Sequence, residues 1–174
     1  MQVFKYGDEL VPRAFLTPLG TVFKSNSQLA SSRDMVHFTG VTALGQAFTS
    51  SSILKLFCPP NLIKTTDIWP FELGAASSRI NVFLPYSFNN FNGANQFRYR
   101  YGTFICLNPH PSPTTSYNPA SNAYSSVLYV PDDSVSYYQE AVQWHYFKTI
   151  KGISTLPSDL AEELEWYEQF CDTD

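Results

Sequence analysis

A chain of 174 residues with 44% apolar and 16% aromatic content has the length and apolar material for one domain with a sizeable core. Its formal net charge of −4 argues against a chain that binds nucleic acid over its whole surface. No apolar stretch reaches the roughly 18 residues of a membrane span, and no signal-peptide pattern opens the chain, so no membrane segment is expected. Charged residues make up only 15%, against about 25% in an average soluble protein. Together with 14 Phe, 11 Tyr and many Ser, Thr and Asn, this points to an all-β protein with much of its surface in contacts.

In chain order, VFKYGDELVPRAFLTPLGTVF holds one or two short strands around Gly7-Asp8-Glu9 and Pro18, and Ser25 to Asp34 reads as a loop. Met35 to Phe48 is a strand candidate with Val36, Phe38, Val41 and Leu44 pointing inward and a bulge or bend near Gly40 and Gly45. SSILKLFCPPN is a short apolar strand driven into Pro59-Pro60, which remove two consecutive backbone donors and place the pair at a sheet end or edge. SRINVFLPY is the clearest strand. Ile80, Val82 and Leu84 alternate with Arg79, Asn81 and Phe83, and Pro85 stops the run. Phe97 to Pro113 is a long strand ending at Asn108-Pro109, and Tyr124 to Asp133 is another stopped at Pro131. The proline stops are spaced too irregularly for a short-period repeat. They suggest a sandwich whose strands end in a common plane, with Ile80, Val82, Leu84, Phe104 and Cys106 facing in and Phe83 facing out.

The tail differs. From Ser158 to Asp174 stand Asp159, Glu162, Glu163, Glu165, Glu168, Asp172 and Asp174, with no Lys or Arg. Without these seven acids the other eight face eleven basic residues, so the body is mildly basic. Ser158 reads as a helix N-cap, and Leu160, Leu164, Tyr167 and Cys171 share one face of an amphipathic helix. That helix is too short to stand alone in water. Its apolar face needs a partner, either the aromatic segment before it or another chain, and its acids favour an outer, projecting position. The boundaries that follow are 1–135 for the main domain, 136–157 for an aromatic connecting segment and 158–174 for the acidic helix.

The order of elements resembles that of picornavirus-like capsid proteins. HFTGVTALGQAF followed by SSILKLFCPPN is similar to their strand that ends in a double proline. DIWPFELGAASSRINVFLPYSF resembles the next strand pair, YGTFICLNPHPSP the strand ending in Asn-Pro, YSSVLYVPDDSVSYY the last strand, and YGDELVPRAFLTPLG an early Gly-Glu segment. Pro70 and Asn61 depart from that pattern, and the acidic helix has no counterpart in it. The resemblance implies an eight-stranded jelly-roll β-sandwich, here with a C-terminal helical extension. It also implies a structural subunit of an icosahedral shell, made in the host cytoplasm and located in the virion. Its partners would be other capsid subunits, with genomic RNA inside the shell and a host receptor outside. The rival expectation is a lectin- or receptor-type β-sandwich that binds ligands through its Asn- and Tyr-rich loops.

Neither expectation involves catalysis, a cofactor or a metal. Cys58, Cys106 and Cys171 lack ligand spacing and read as buried free thiols of a protein matured in the cytosol. Cys106 and His110 would lie about 13 Å apart in a strand at 3.3 Å per residue, unless the Asn108-Pro109 turn folds His110 back. His37, beside Phe38, reads as a core or interface histidine. Asp132-Asp133 reads as a loop turn, with a shared divalent-ion site as the alternative. Arg98 and Arg100 flank Tyr99 as sandwich-strand residues, with RNA stacking as the alternative. Tyr137, Tyr138, Trp144, Tyr146 and Phe147 form an aromatic cluster that suits either a core or a partner surface.

Overall fold

The alternation in SRINVFL does become a strand, β6, Ile80–Leu84. Its inward set Ile80, Val82 and Leu84 and its outward Phe83 are all fully buried, on opposite faces. Cover on both sides suits a strand of a parallel sheet, and β6 lies inside one. In the computed structural model the described residues are 3–6, 9–12, 33–44, 54–65, 79–89, 101–110, 125–142 and 144–171. Within them β4 (Lys55–Phe57), β6, β7 (Gly102–Cys106), β8 (Val127–Val130) and β9 (Thr149–Gly152) form one five-stranded sheet. Strand order follows chain order, and every pair is parallel. A hairpin of β1 (Val3–Tyr6) and β2 (Glu9–Pro12) is the one antiparallel pair among the described residues.

The all-β jelly roll expected above is therefore not the fold; the chain is mixed α/β. The reason lies at the strand exits. A jelly roll needs each strand to turn back antiparallel beside a neighbour, whereas these strands leave through a tight turn and come back parallel. Register places Lys55 opposite Asn81, Asn81 opposite Thr103, Thr103 opposite Val127 and Val127 opposite Thr149. The advance per coil is thus 26, 22, 24 and 22 residues. Such a period, with strands in sequence order, is that of a solenoid of stacked coils, and the variable return length hides it from a fixed-period search.

Three of the strand-ending prolines occupy one position in this repeat. The residues leaving the strands in register are Pro59, Pro85, Leu107, Pro131 and Ile153. Four of them accept a bond from the amide three residues on: Leu62 to Pro59, Phe88 to Pro85, Ser134 to Pro131 and Leu156 to Ile153, at 2.8 to 3.1 Å. At the Leu107 coil the Asn108 side chain makes the turn instead, its Oδ1 accepting from the His110 amide at 2.8 Å. Pro59 and Pro60 follow the end of β4, the outermost strand of the five-stranded sheet, as expected for them, and both are buried in the chain's own stack. Side chains tie each turn to the one before it. Asn61 Nδ2 donates to Thr39 O at 2.9 Å, Ser87 Oγ to Leu62 O at 2.9 Å and Asn108 Nδ2 to Phe88 O at 2.8 Å. A second wall begins with β3 (Ala43–Leu44) and β5 (Lys64–Thr65), also parallel. The Met35–Phe48 strand candidate thus yields only β3 within the described residues, and a 3-10 helix, Arg33–His37, occupies its start.

All described returns lie on one face of the sheet. Leu62, Phe88, Tyr138, Trp144 and Phe147 join Leu56, Val82, Phe104 and Leu128 in the inner core. Three of the five aromatic-cluster residues are therefore core, while Tyr137 is exposed and Tyr146 is half-buried. They come from the return between β8 and β9, which includes α1, Val135–Glu140. The stretch 136–157 also supplies β9, which extends the main sheet, so it is more than a connector.

The opposite face is covered by α2, Ser158–Glu168. Leu160, Leu164, Tyr167 and Cys171 are buried against Phe57, Phe83, Ile105, Leu107 and Tyr129. The helix's partner is thus the outward set of strand residues, where an aromatic segment or another chain was expected. Ser158 is the first helical residue, and Pro157 takes the N-cap place. Tyr167 OH donates to Cys58 O at 2.7 Å, Arg33 lies 4.2 Å over the Trp166 ring, and Lys55 pairs with Glu163. The acids Asp159, Glu162 and Glu165 remain outside. The helix is a layer of the domain; it does not project from it.

Candidate functional site

Beyond the carboxyl ends of β6 to β9 lies an open cleft of about 400 Å³, lined by Tyr86, Leu107, Pro109, Pro131, Asp132, Ile153 and Glu168. The fold builds it directly. Leu107, Pro131 and Ile153 hold the same register position in three successive coils and give the cleft an apolar floor. Tyr86 and Asp132 each follow the proline that ends a strand, and Glu168 arrives from the last turn of α2.

The polar groups of the cleft are held in place. Tyr86 OH donates to Glu168 Oε1 at 3.0 Å. Burial, then the Glu168 hydrogen bond and charge, pushes the Tyr86 phenol up to about 12, so it remains a donor at neutral pH. Asp132 Oδ1 accepts from Ser154 Oγ at 3.0 Å and from the Ser154 amide at 3.2 Å. Gly152 makes room for this carboxylate, since a Cβ there would stand 1.9 Å from Asp132 Oδ1.

Of the residues weighed from sequence for catalysis, metal or ligand binding, Asp132 alone lines the cleft; Pro109, Pro131 and Glu168 were noted there only as strand stops and as part of the acidic helix. Asp133 follows it, exposed, in the 3-10 turn Asp132–Ser134. Among the described residues no group of three or more His, Cys, Asp or Glu could hold a metal, and no helix is long and apolar enough to cross a membrane. Cys106 is fully buried, and desolvation pushes its thiol up to about 11, which leaves it inert as a nucleophile. His110 is exposed, its ring 5.4 Å from that of Tyr137. His37 is exposed with its ring 5.5 Å from Phe170, which rules out the core half of its core-or-interface reading. Cys58 and Cys171 are buried as well, and none of the three cysteines is in a disulfide. Arg98, Tyr99 and Arg100 lie outside the described residues. Sequence reasoning missed Tyr86, Leu107, Ile153 and Glu168. The signal for the first three was their common place after a strand.

The buried hydroxyls and thiols have a measurable consequence. Burial raises Cys58, Cys106, Tyr138 and Tyr167 above their usual values, 9.0 for thiols and 10.0 for phenols. Their stabilising contribution is complete below pH 9, where both states are protonated. It is lost as the unfolded chain ionises and the folded chain does not. Cys106 alone, raised to about 11, accounts for about 2–3 kcal/mol between pH 9 and 11. The urea midpoint is expected to fall steadily over that window; a flat profile would show that these groups are solvated.

No protein-family model matches the chain, and neither the curated proteins nor the solved structures yield a match.

Proposed function

We propose that the chain is a non-catalytic binding scaffold whose stacked parallel coils present the strand-exit cleft to a partner. The observation that carries this reading is the floor of the cleft, one apolar position repeated in three successive coils beneath two fixed carboxylates and a phenol. A preformed apolar floor with few polar groups of fixed orientation is what a binding site requires. Solenoids present such repeated positions as extended recognition surfaces. The capsid-subunit reading drew its physical support from a jelly roll, and the parallel sheet removes that support. The rival expectation of a ligand-binding module keeps its class and changes its fold.

Selection from a random peptide library tests the proposal without presupposing a partner. Binders selected on the intact chain are expected to lose at least tenfold in affinity for Ile153→Trp, which fills the cleft from a half-buried position. Binders that hold equally well to Ile153→Trp, with unchanged circular dichroism, would show that the cleft is not the site.

A further inference from the structure

The cleft contains negative charge that nothing in its own lining balances. Asp132 and Glu168 are its charged residues, and no Lys, Arg or His lines it. Two described cations beside α2 are engaged elsewhere, Lys55 with Glu163 and Arg33 with Trp166 and Phe57. Each cleft carboxylate gives one oxygen to a fixing hydrogen bond, Asp132 Oδ1 to Ser154 and Glu168 Oε1 to Tyr86. The other oxygens, Oδ2 of Asp132 and Oε2 of Glu168, have no donor among the described residues.

An apolar occupant would strip water from both carboxylates and return no hydrogen bond, and an anion would be repelled. A cation on an apolar stem satisfies both parts, with its stem along Leu107, Pro131 and Ile153 and its charge at the carboxylates. The carboxylates come from separate elements, the turn after β8 and the end of α2. Two acceptors on different elements suit the three divergent donors of an ammonium better than the flat guanidinium fork, which matches a single carboxylate. We infer that the cleft takes a lysine side chain of a partner polypeptide. This rests on the cleft being the binding site proposed above.

The test is an amide chemical-shift titration of the full chain with N-acetyl-lysine methylamide, its norleucine analogue and its arginine analogue. The lysine probe is expected to move the amides of Tyr86, Leu107, Asp132, Ile153 and Glu168 saturably, at least tenfold more tightly than norleucine and more tightly than arginine. Added salt weakens the effect. In Asp132→Asn with Glu168→Gln the amide oxygens can still accept from Ser154 and Tyr86, so the site keeps its shape, and lysine affinity should drop to that of norleucine. Undiminished lysine binding in that variant, equal binding of norleucine, or tighter binding of arginine would each overturn the inference. Norleucine shifts confined to the cleft would leave the binding scaffold standing. The peptide-library selection judges the scaffold independently of charge.

Discussion

Tyr167→Ala is expected to cost about 4 kcal/mol, the range found for removing a large buried ring. Tyr167 is fully buried, with its ring 5.8 Å from Phe57 and 5.9 Å from Phe83. Its hydroxyl reaches across the sheet face to the Cys58 carbonyl at the exit of β4. Truncation opens a cavity between α2 and the sheet and leaves that carbonyl without the donor. Tyr167→Phe separates the two contributions and should cost about 1–2 kcal/mol. Urea unfolding followed by circular dichroism measures both. Were α2 a projecting tail, as its acidic face suggests, neither change would exceed about half a kilocalorie.

Gly102→Ala is expected to destabilise by roughly 3 kcal/mol, at the upper end of the usual cost of overpacking. Gly102 begins β7 directly opposite Ile80. A Cβ there would stand 1.8 Å from the Ile80 carbonyl oxygen and within 2.9 Å of its backbone nitrogen, so two strands would have to separate. The Gly102 amide also donates to the buried Ser126 Oγ at 3.1 Å, which pins it from the β8 side. Gly152→Ala is the informative contrast. Its Cβ meets the Asp132 carboxylate, which can give way only by releasing Ser154, so the stability loss should be smaller, about 1–2 kcal/mol. The two glycines thus distinguish backbone stacking between coils from space reserved at the cleft. Comparable losses for both would mean that the β6–β7 contact is looser than described.

The strands themselves were legible because apolar alternation reports which side chains share a face, whatever the neighbouring strand does. Ile80, Val82, Leu84, Phe104 and Cys106 lie on one face and Phe83 on the other, as the alternation predicts. The face of α2 was legible for the same reason, its 3.6-residue period carrying Leu160, Leu164, Tyr167 and Cys171 to one side. Strand direction was not legible. INVFL and VLYV are apolar on both faces, and such runs fit a buried sandwich strand as well as a parallel one. The column of exit residues would have decided it, but Leu107 and Ile153 replace proline in two coils, and the advance varies from 22 to 26 residues. The cleft depends on this missing step. Asp132 could be noticed as half of an acidic pair, whereas Tyr86 and Glu168, 82 residues apart, meet only once α2 folds back over the sheet.

The direction of the β6–β7–β8 pairing is the claim on which the coil stack, the cleft and its ligand all depend. Backbone nuclear Overhauser contacts measured on the full chain read that direction most directly. The stacked-coil fold predicts that contacts advance together, Val82 with Phe104, Phe83 with Ile105, Phe104 with Leu128 and Ile105 with Tyr129. It also predicts that the close Hα–Hα pairs of antiparallel ladders are missing among these strands. Strong Hα–Hα contacts between β6, β7 or β8 and a strand running in descending register would contradict it.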